Sequence, residues 1–145
     1  MNPLRTHLAT IQQQIQQATQ EAYRPSGSVQ LLAVSKTFPA SDVRLAFEAG
    51  QQAFGENYVQ EAVEKIVALQ DLRSQLQWHM IGPLQSNKTA LVAEHFDWVH
   101  TVERTKIAER LNAQRPPQLP PLQVCLQINV DGGETKSGLD CTRSP

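Results

Sequence analysis

The chain has 145 residues, 40% hydrophobic and 19% charged, with 13 Lys plus Arg against 14 Asp plus Glu and a net charge of −1. These are the proportions of a soluble globular domain, and so even a balance excludes a global electrostatic pull toward nucleic acid or an anionic membrane. No apolar run reaches the length of a membrane span and the N-terminus lacks the apolar stretch of a signal peptide, so the expected compartment is the cytoplasm.

In chain order, Leu4, Leu8, Ile11, Ile15 and Ala18 recur at steps of three or four and predict a helix from about Pro3 to Glu21 with that stripe inward. Arg24-Pro25-Ser26-Gly27 breaks it. Val29 to Ser35 reads as a strand buried on both faces and ending at Lys36. Pro39 to Asp42 opens a second helix that Gly50 closes. Ala53-Phe54-Gly55 is a short strand, and Asn57 opens a helix carrying Val59, Ala62, Val63, Ile66 and Leu69. Leu76 to Ile81 is a third strand stopped by Gly82-Pro83, and Ser86 is read as the cap of a helix from Asn87 to Phe96. Trp98 to Val102 is a fourth strand and Thr105 to Gln114 a helix with Ile107, Ala108 and Leu111 inward. The proline-rich Arg115 to Pro121 is a stiff connector, and Leu122 to Val130 is the fifth strand.

Strand and helix thus alternate, which predicts a parallel sheet with crossover helices. The pattern alone leaves two architectures, an open doubly wound sheet and a closed (β/α) barrel; the first loop, Ser35-Lys36-Thr37-Phe38, carries no Gly-rich dinucleotide fingerprint. Cys125 and Cys141 make no disulfide framework, and Cys125 reads as a buried thiol inside the fifth strand. His7, His79, His95 and His100 have no ligand-like spacing, so no metal site is expected.

In a parallel α/β fold, chemistry collects at the carboxyl ends of the strands. Those ends deliver Lys36 and Thr37; Gly55, Glu56, Asn57 and Tyr58; Gly82, Gln85, Ser86, Asn87 and Lys88; Thr101 and Glu103; and Asn129 with a loop containing Lys136. Lys36 is the most informative. A lysine after an apolar strand is ordinarily a solvated end-cap, but a partly desolvated amine at a barrel mouth can attack an aldehyde and form a Schiff base. Asn57 reads as a helix cap or as a polar wall beside a bound ring. Ser86 is a cap whose neighbouring N–H groups favour an anion. His79 is by default a hydrogen-bonded barrel histidine and Lys136 a solvated loop lysine.

Four segments stand in order: Leu31-Leu32-Ala33-Val34-Ser35-Lys36-Thr37, Phe54-Gly55-Glu56-Asn57-Tyr58-Val59-Gln60-Glu61, Trp78-His79-Met80-Ile81-Gly82-Pro83-Leu84-Gln85-Ser86-Asn87-Lys88 and Lys136-Ser137-Gly138. Together, from about residue 4 to Leu139, they resemble the pyridoxal phosphate homeostasis proteins, single-domain relatives of the alanine racemase barrel. The resemblance implies a (β/α)8 TIM-type barrel with an extra N-terminal helix and a bound pyridoxal 5′-phosphate (PLP). Lys36 matches the family's PLP lysine, and Asn57, His79, Ser86 and Lys136 are taken as further cofactor-binding positions. It also implies a role in vitamin B6 and amino-acid balance without robust turnover, with PLP-dependent apoenzymes as recipients and a monomeric full-length protein. The alternatives are a PLP-dependent racemase or decarboxylase-like enzyme and a nonfunctional half-barrel.

The resemblance further implies later strands with a serine and an Arg-x-Gly-Thr-type segment that grip the phosphate. Residues 1–145 are read as one domain holding about the first five strands, and Asp140 to Pro145 as an atypical tail that ends the barrel early. The expectations that follow are an unpaired, hydrophobic edge at Leu122–Val130, self-association through it, and weak or no PLP binding by this chain.

Overall fold

A computed structural model describes residues 3–140. The tail beyond Asp140, residues 141–145, lies outside the described residues, as does Cys141.

The elements run α1 (Pro3–Glu21), β1 (Ala33–Val34), α2 (Ala40–Glu48), β2 (Ala53–Glu56), α3 (Val59–Ala68), β3 (Gln77–Met80), α4 (Thr89–His95), β4 (Trp98–Val102), α5 (Thr105–Gln114), β5 (Gln123–Leu126), β6 (Ile128–Asn129) and β7 (Leu139–Asp140). Strands β1 to β5 form one parallel sheet in sequential order, and β6 pairs with β7 in a second, two-stranded parallel sheet. The order decides between the two expected architectures. A doubly wound sheet reverses direction to put helices on both faces, whereas steady right-handed crossovers in one direction leave every helix on the same side. The five strands are therefore a stretch of barrel wall.

Register separates the two faces. Phe54 lies opposite Trp78, and Glu56 opposite Met80, which lies opposite Val99. All are buried beneath the helices, with Val43, Ala62, Ile66, Leu69 and Phe96 completing the core. The alternating positions, Val34, Gly55, His79 and Trp98, are register partners on the other, concave face.

Helix α2 ends where the sequence supplies a stop. Gly50, at φ +103°, lets the chain leave α2, with the Gly50 and Gln51 N–H groups donating to the Phe47 and Ala46 carbonyls at 2.9 and 3.0 Å. Gly82 serves a different need. A Cβ there would sit 2.4 Å from the Asn57 carbonyl oxygen, so only glycine admits the β2–α3 loop against the end of β3.

Several expectations are corrected. The first strand is two residues rather than seven, and it is not buried on both faces, since Val34 is 49% exposed. The Leu31 carbonyl is taken by the Gln51 side-chain amide at 2.8 Å instead of a neighbouring strand, and β1 is an edge strand of the sheet. The α1 stripe is only partly covered: Leu8 is buried but Ile11 is 41% exposed. Near its end Thr19 goes inward in place of Ala18, its hydroxyl satisfied by the Ile15 carbonyl at 2.7 Å. Between α1 and β1–α2 this leaves an apolar groove of about 410 Å³ lined by Leu4, Val34, Phe38, Val43 and Phe54 among others.

Ser86 does not cap a helix starting at Asn87. Ser86–Lys88 is a 3-10 turn, and α4 begins at Thr89. The Ser86 carbonyl accepts from the Thr89 hydroxyl and the Arg110 Nε, both at 3.0 Å, which winds this segment tightly and ties it to α5.

The expected fifth strand breaks at Gln127. Its N–H donates to Val102 of β4 at 2.8 Å, while its carbonyl accepts from Leu139 at 2.7 Å. Gln127 is thus the pivot between the two sheets. The Leu122–Val130 edge is accordingly not wholly unpaired: Val124 and Leu126 lie exposed on edge strand β5, but Ile128–Asn129 is covered by β7. Cys125 is half-buried rather than buried, on the same edge strand.

Candidate functional site

Lys36 follows β1, within a turn closed by the Phe38 N–H donating to the Ser35 carbonyl at 3.1 Å. Its neighbour Thr37 has φ +67°, the left-handed region. A turn of this shape favours glycine there, and a β-branched residue costs on the order of 1–3 kcal/mol. Lys36 itself is solvent-exposed, so the desolvated ring expected around its amine is not present among the described residues.

Beneath the turn lies a buried ion pair. Lys65 of α3 is 5% exposed and Glu56 at the end of β2 is fully buried. The Lys65 ammonium reaches Glu56 Oε2 at 3.0 Å, Oε1 at 3.1 Å, the Ser35 carbonyl at 2.6 Å and Glu61 Oε1 at 3.0 Å. The Ser35 hydroxyl donates to Glu56 as well, and the Thr37 N–H donates to Glu61 Oε1 at 2.6 Å. Both residues flanking Lys36 are therefore tied to charged groups of β2 and α3. Glu56 was legible as a strand-end residue, but the roles of Lys65 and Glu61 were missed. A signal existed: Lys65 falls three residues after Ala62 and four before Leu69, inside the buried stripe of α3, and four after Glu61.

On the concave face, His79 and Trp98 are register partners with their rings 5.4 Å apart and 5° from parallel. His79 Nδ1 lies 2.8 Å from His100 Nε2, a pairing that the sequence spacing did not reveal. Burial, and next the neighbouring His100, push His79 down to about 4 from an ordinary 6.5, and burial lowers His100 too. Among the described residues His79 Nε2 and Asn57 Oδ1 are both buried without a hydrogen-bond partner. Such orphaned atoms are uncommon in folded proteins.

Of the expected cofactor-binding residues, Lys36, Asn57 and His79 thus belong to the carboxyl-end half of three adjacent strands and their loops, β1, β2 and β3. The contacts of the other two run elsewhere: Ser86 to Thr89 and Arg110, and Lys136 to Asp131 at 2.6 Å in the exposed β6–β7 loop. That loop is organised by Asn129, whose side chain bonds the Gly133 carbonyl at 2.9 Å and the Gly132 N–H at 3.1 Å.

The depressed His79 has a consequence for stability. Between pH 6.5 and about 4 the unfolded chain takes up a proton that the folded chain refuses, so stability falls as pH falls through that window. Since water reaches the concave face, the loss is on the order of 1–2 kcal/mol. Urea titrations at pH 7 and pH 4.5 should show it, and His79→Asn should flatten the difference; an unchanged slope in that variant would assign the acid sensitivity to other groups.

Residues 6–144 match the model of the alanine racemase N-terminal domain. The chain belongs to that family. Among curated members it is 59% identical over 133 residues to the pyridoxal phosphate homeostasis protein of Pasteurella multocida, an alignment covering 92% of this chain and 57% of that protein. With the pyridoxal phosphate homeostasis protein of Escherichia coli K12 it shares 54% identity over 140 residues, covering 96% of this chain and 60% of the relative. The chain spans under two thirds of either relative's length. Among solved structures, PipY of Synechococcus elongatus, determined with PLP bound, superposes with a TM-score of 0.71 at 43% identity over 86% of this chain and 57% of PipY. A protein of Bifidobacterium adolescentis gives 0.85 at 30% identity over 94% and 59%. As an alanine racemase N-terminal domain the chain has a barrel-type α/β fold, and its sequential sheet is the corresponding part of that wall. Among the described residues no helix is long and apolar enough to cross a membrane.

Proposed function

We propose that this chain binds PLP weakly through Lys36 and serves vitamin B6 and amino-acid homeostasis as a holder of the cofactor rather than as an enzyme with robust turnover. The observation that carries the reading is the exposed Lys36 amine at the carboxyl end of β1, with the partnerless Asn57 Oδ1 and His79 Nε2 on the strands and loops beside it. These residues suit the group: an amine to capture an aldehyde, and two buried polar atoms with free hydrogen-bonding capacity, for a ring that carries a phenolic oxygen and a ring nitrogen. PLP supplies a reactive aldehyde. Lys36 would hold it through its amine, and Asn57 and His79 would orient the ring by hydrogen bonds. Ser86 and Lys136 are held as peripheral positions in this reading. Its compartment is the cytoplasm, and its partners are PLP-requiring apoenzymes.

The likeness to PipY and to the two homeostasis proteins supports the reading, and the shared family does so for the fold that presents Lys36. The test is reduction with borohydride after incubation with PLP, followed by peptide mass spectrometry. Reduction accumulates even a weak adduct. Lys36 should carry the label well ahead of Lys88, Lys106 and Lys136, and Lys36→Ala should remove it. Labelling spread evenly over the surface lysines would refute the reading.

A further inference from the structure

The geometry points to Glu61 and the buried Lys65–Glu56 pair as a clamp that holds the Lys36 turn in its left-handed form and so sets the direction of the Lys36 amine. This inference rests on Lys36 being the PLP lysine, and it assigns positioning roles to residues that do not themselves touch the cofactor.

The turn is bent against its own chemistry. Thr37 sits at φ +67°, where a β-branched side chain is disfavoured and glycine is the usual occupant. A conformation of this kind persists only when the surroundings over-determine it. Here they do so on both sides of Lys36. Upstream, the Ser35 carbonyl receives the Lys65 ammonium and its hydroxyl is held by Glu56. Downstream, the Thr37 N–H is held by Glu61 at 2.6 Å. Glu61 and Glu56 converge on the same ammonium, so the two anchors are linked through one nitrogen. Bonds to charged groups are the stronger kind, and those made by Glu56 and Lys65 are shielded from water. Glu61 is the partly exposed member, at 30% side-chain exposure, so it can be changed with little disturbance to the core.

The experiment uses the full chain carrying Glu61→Ala, Glu61→Gln, or Glu61→Ala combined with Thr37→Gly. Two quantities are read: amide hydrogen exchange at Thr37 without cofactor, and the share of borohydride-trapped PLP on Lys36 relative to Lys106 and Lys136. In Glu61→Ala the Thr37 amide should exchange at least about tenfold faster and the Lys36 share should fall about tenfold, since a strained turn relaxes once its tether is cut. Glu61→Gln, whose amide oxygen still accepts, should recover most of both. Adding Thr37→Gly should recover the Lys36 share without recovering the amide protection, because glycine holds the left-handed turn unaided. A purely structural role for Glu61 would speed amide exchange throughout the chain rather than at the Lys36 turn and would not be rescued by glycine. An unchanged Thr37 amide, an unchanged Lys36 share or a failed glycine rescue overturns the clamp. If the unaltered chain shows no preference for Lys36, the PLP reading itself fails, a result separate from these.

Discussion

Lys65→Met should lower the unfolding free energy by on the order of 3–5 kcal/mol, the loss expected when one partner of a buried ion pair is removed and the other is left behind. The residue abandoned is Glu56, which has no exposure to solvent. Its remaining bond, from the Ser35 hydroxyl, cannot replace the ammonium that meets both carboxylate oxygens. The Ser35 carbonyl loses its charged donor at the same time. Against a typical domain stability of about 5–15 kcal/mol this brings the chain close to unfolding. Urea denaturation followed by circular dichroism measures it. A double variant, Glu56→Leu with Lys65→Met, should recover much of the loss, because two packed apolar side chains need no counter-charge. A single-variant loss under about 1 kcal/mol would mean that water reaches the pair and that it is not a buried one in solution.

Trp78→Ala should cost a similar amount, about 3–5 kcal/mol. Trp78 is fully buried on β3, its ring 5.9 Å from Phe54 on β2, within a core shared with Ile66, Leu69, Met80 and Phe96. Removing it opens a cavity between the sheet and the helix layer, and strands pinned by their backbone ladders collapse into such a space only in part. The indole N–H has no partner among the described residues, so the residue is present for its volume rather than for a hydrogen bond. Trp78→Phe should therefore lose distinctly less than Trp78→Ala, since it keeps a ring and removes the orphaned donor. Equal losses in the two variants, read from the same denaturation curves, would contradict this account.

The two variants probe different dependences on the sequence. Trp78 was legible as a strand residue, because a short apolar run bounded by turn residues says strand wherever it stands, and the β4 and α5 boundaries were read correctly on the same local grounds. The carboxyl ends of the strands, and with them Lys36 and Asn57, follow from that reading once the strands are parallel. The break of the fifth strand at Gln127 could not be read, since nothing in Leu122–Val130 marks where one neighbour hands over to another. Nor could the pairing of Ile128 with Leu139, which depends on how the β6–β7 loop folds back around Asn129.

From periodicity and turn chemistry alone, the amino acids determined an alternating parallel α/β chain with a lysine at the end of its first strand. Those signals act over a few residues and survive in any context. Only the tertiary structure decided that the sheet is a one-directional wall, that His79 meets His100, and that Lys65 is buried against Glu56 beneath the Lys36 turn. The reason is physical. A charged side chain on a helix is in water or out of it according to what packs above it, and that is set by residues 9 and 30 positions away along the chain.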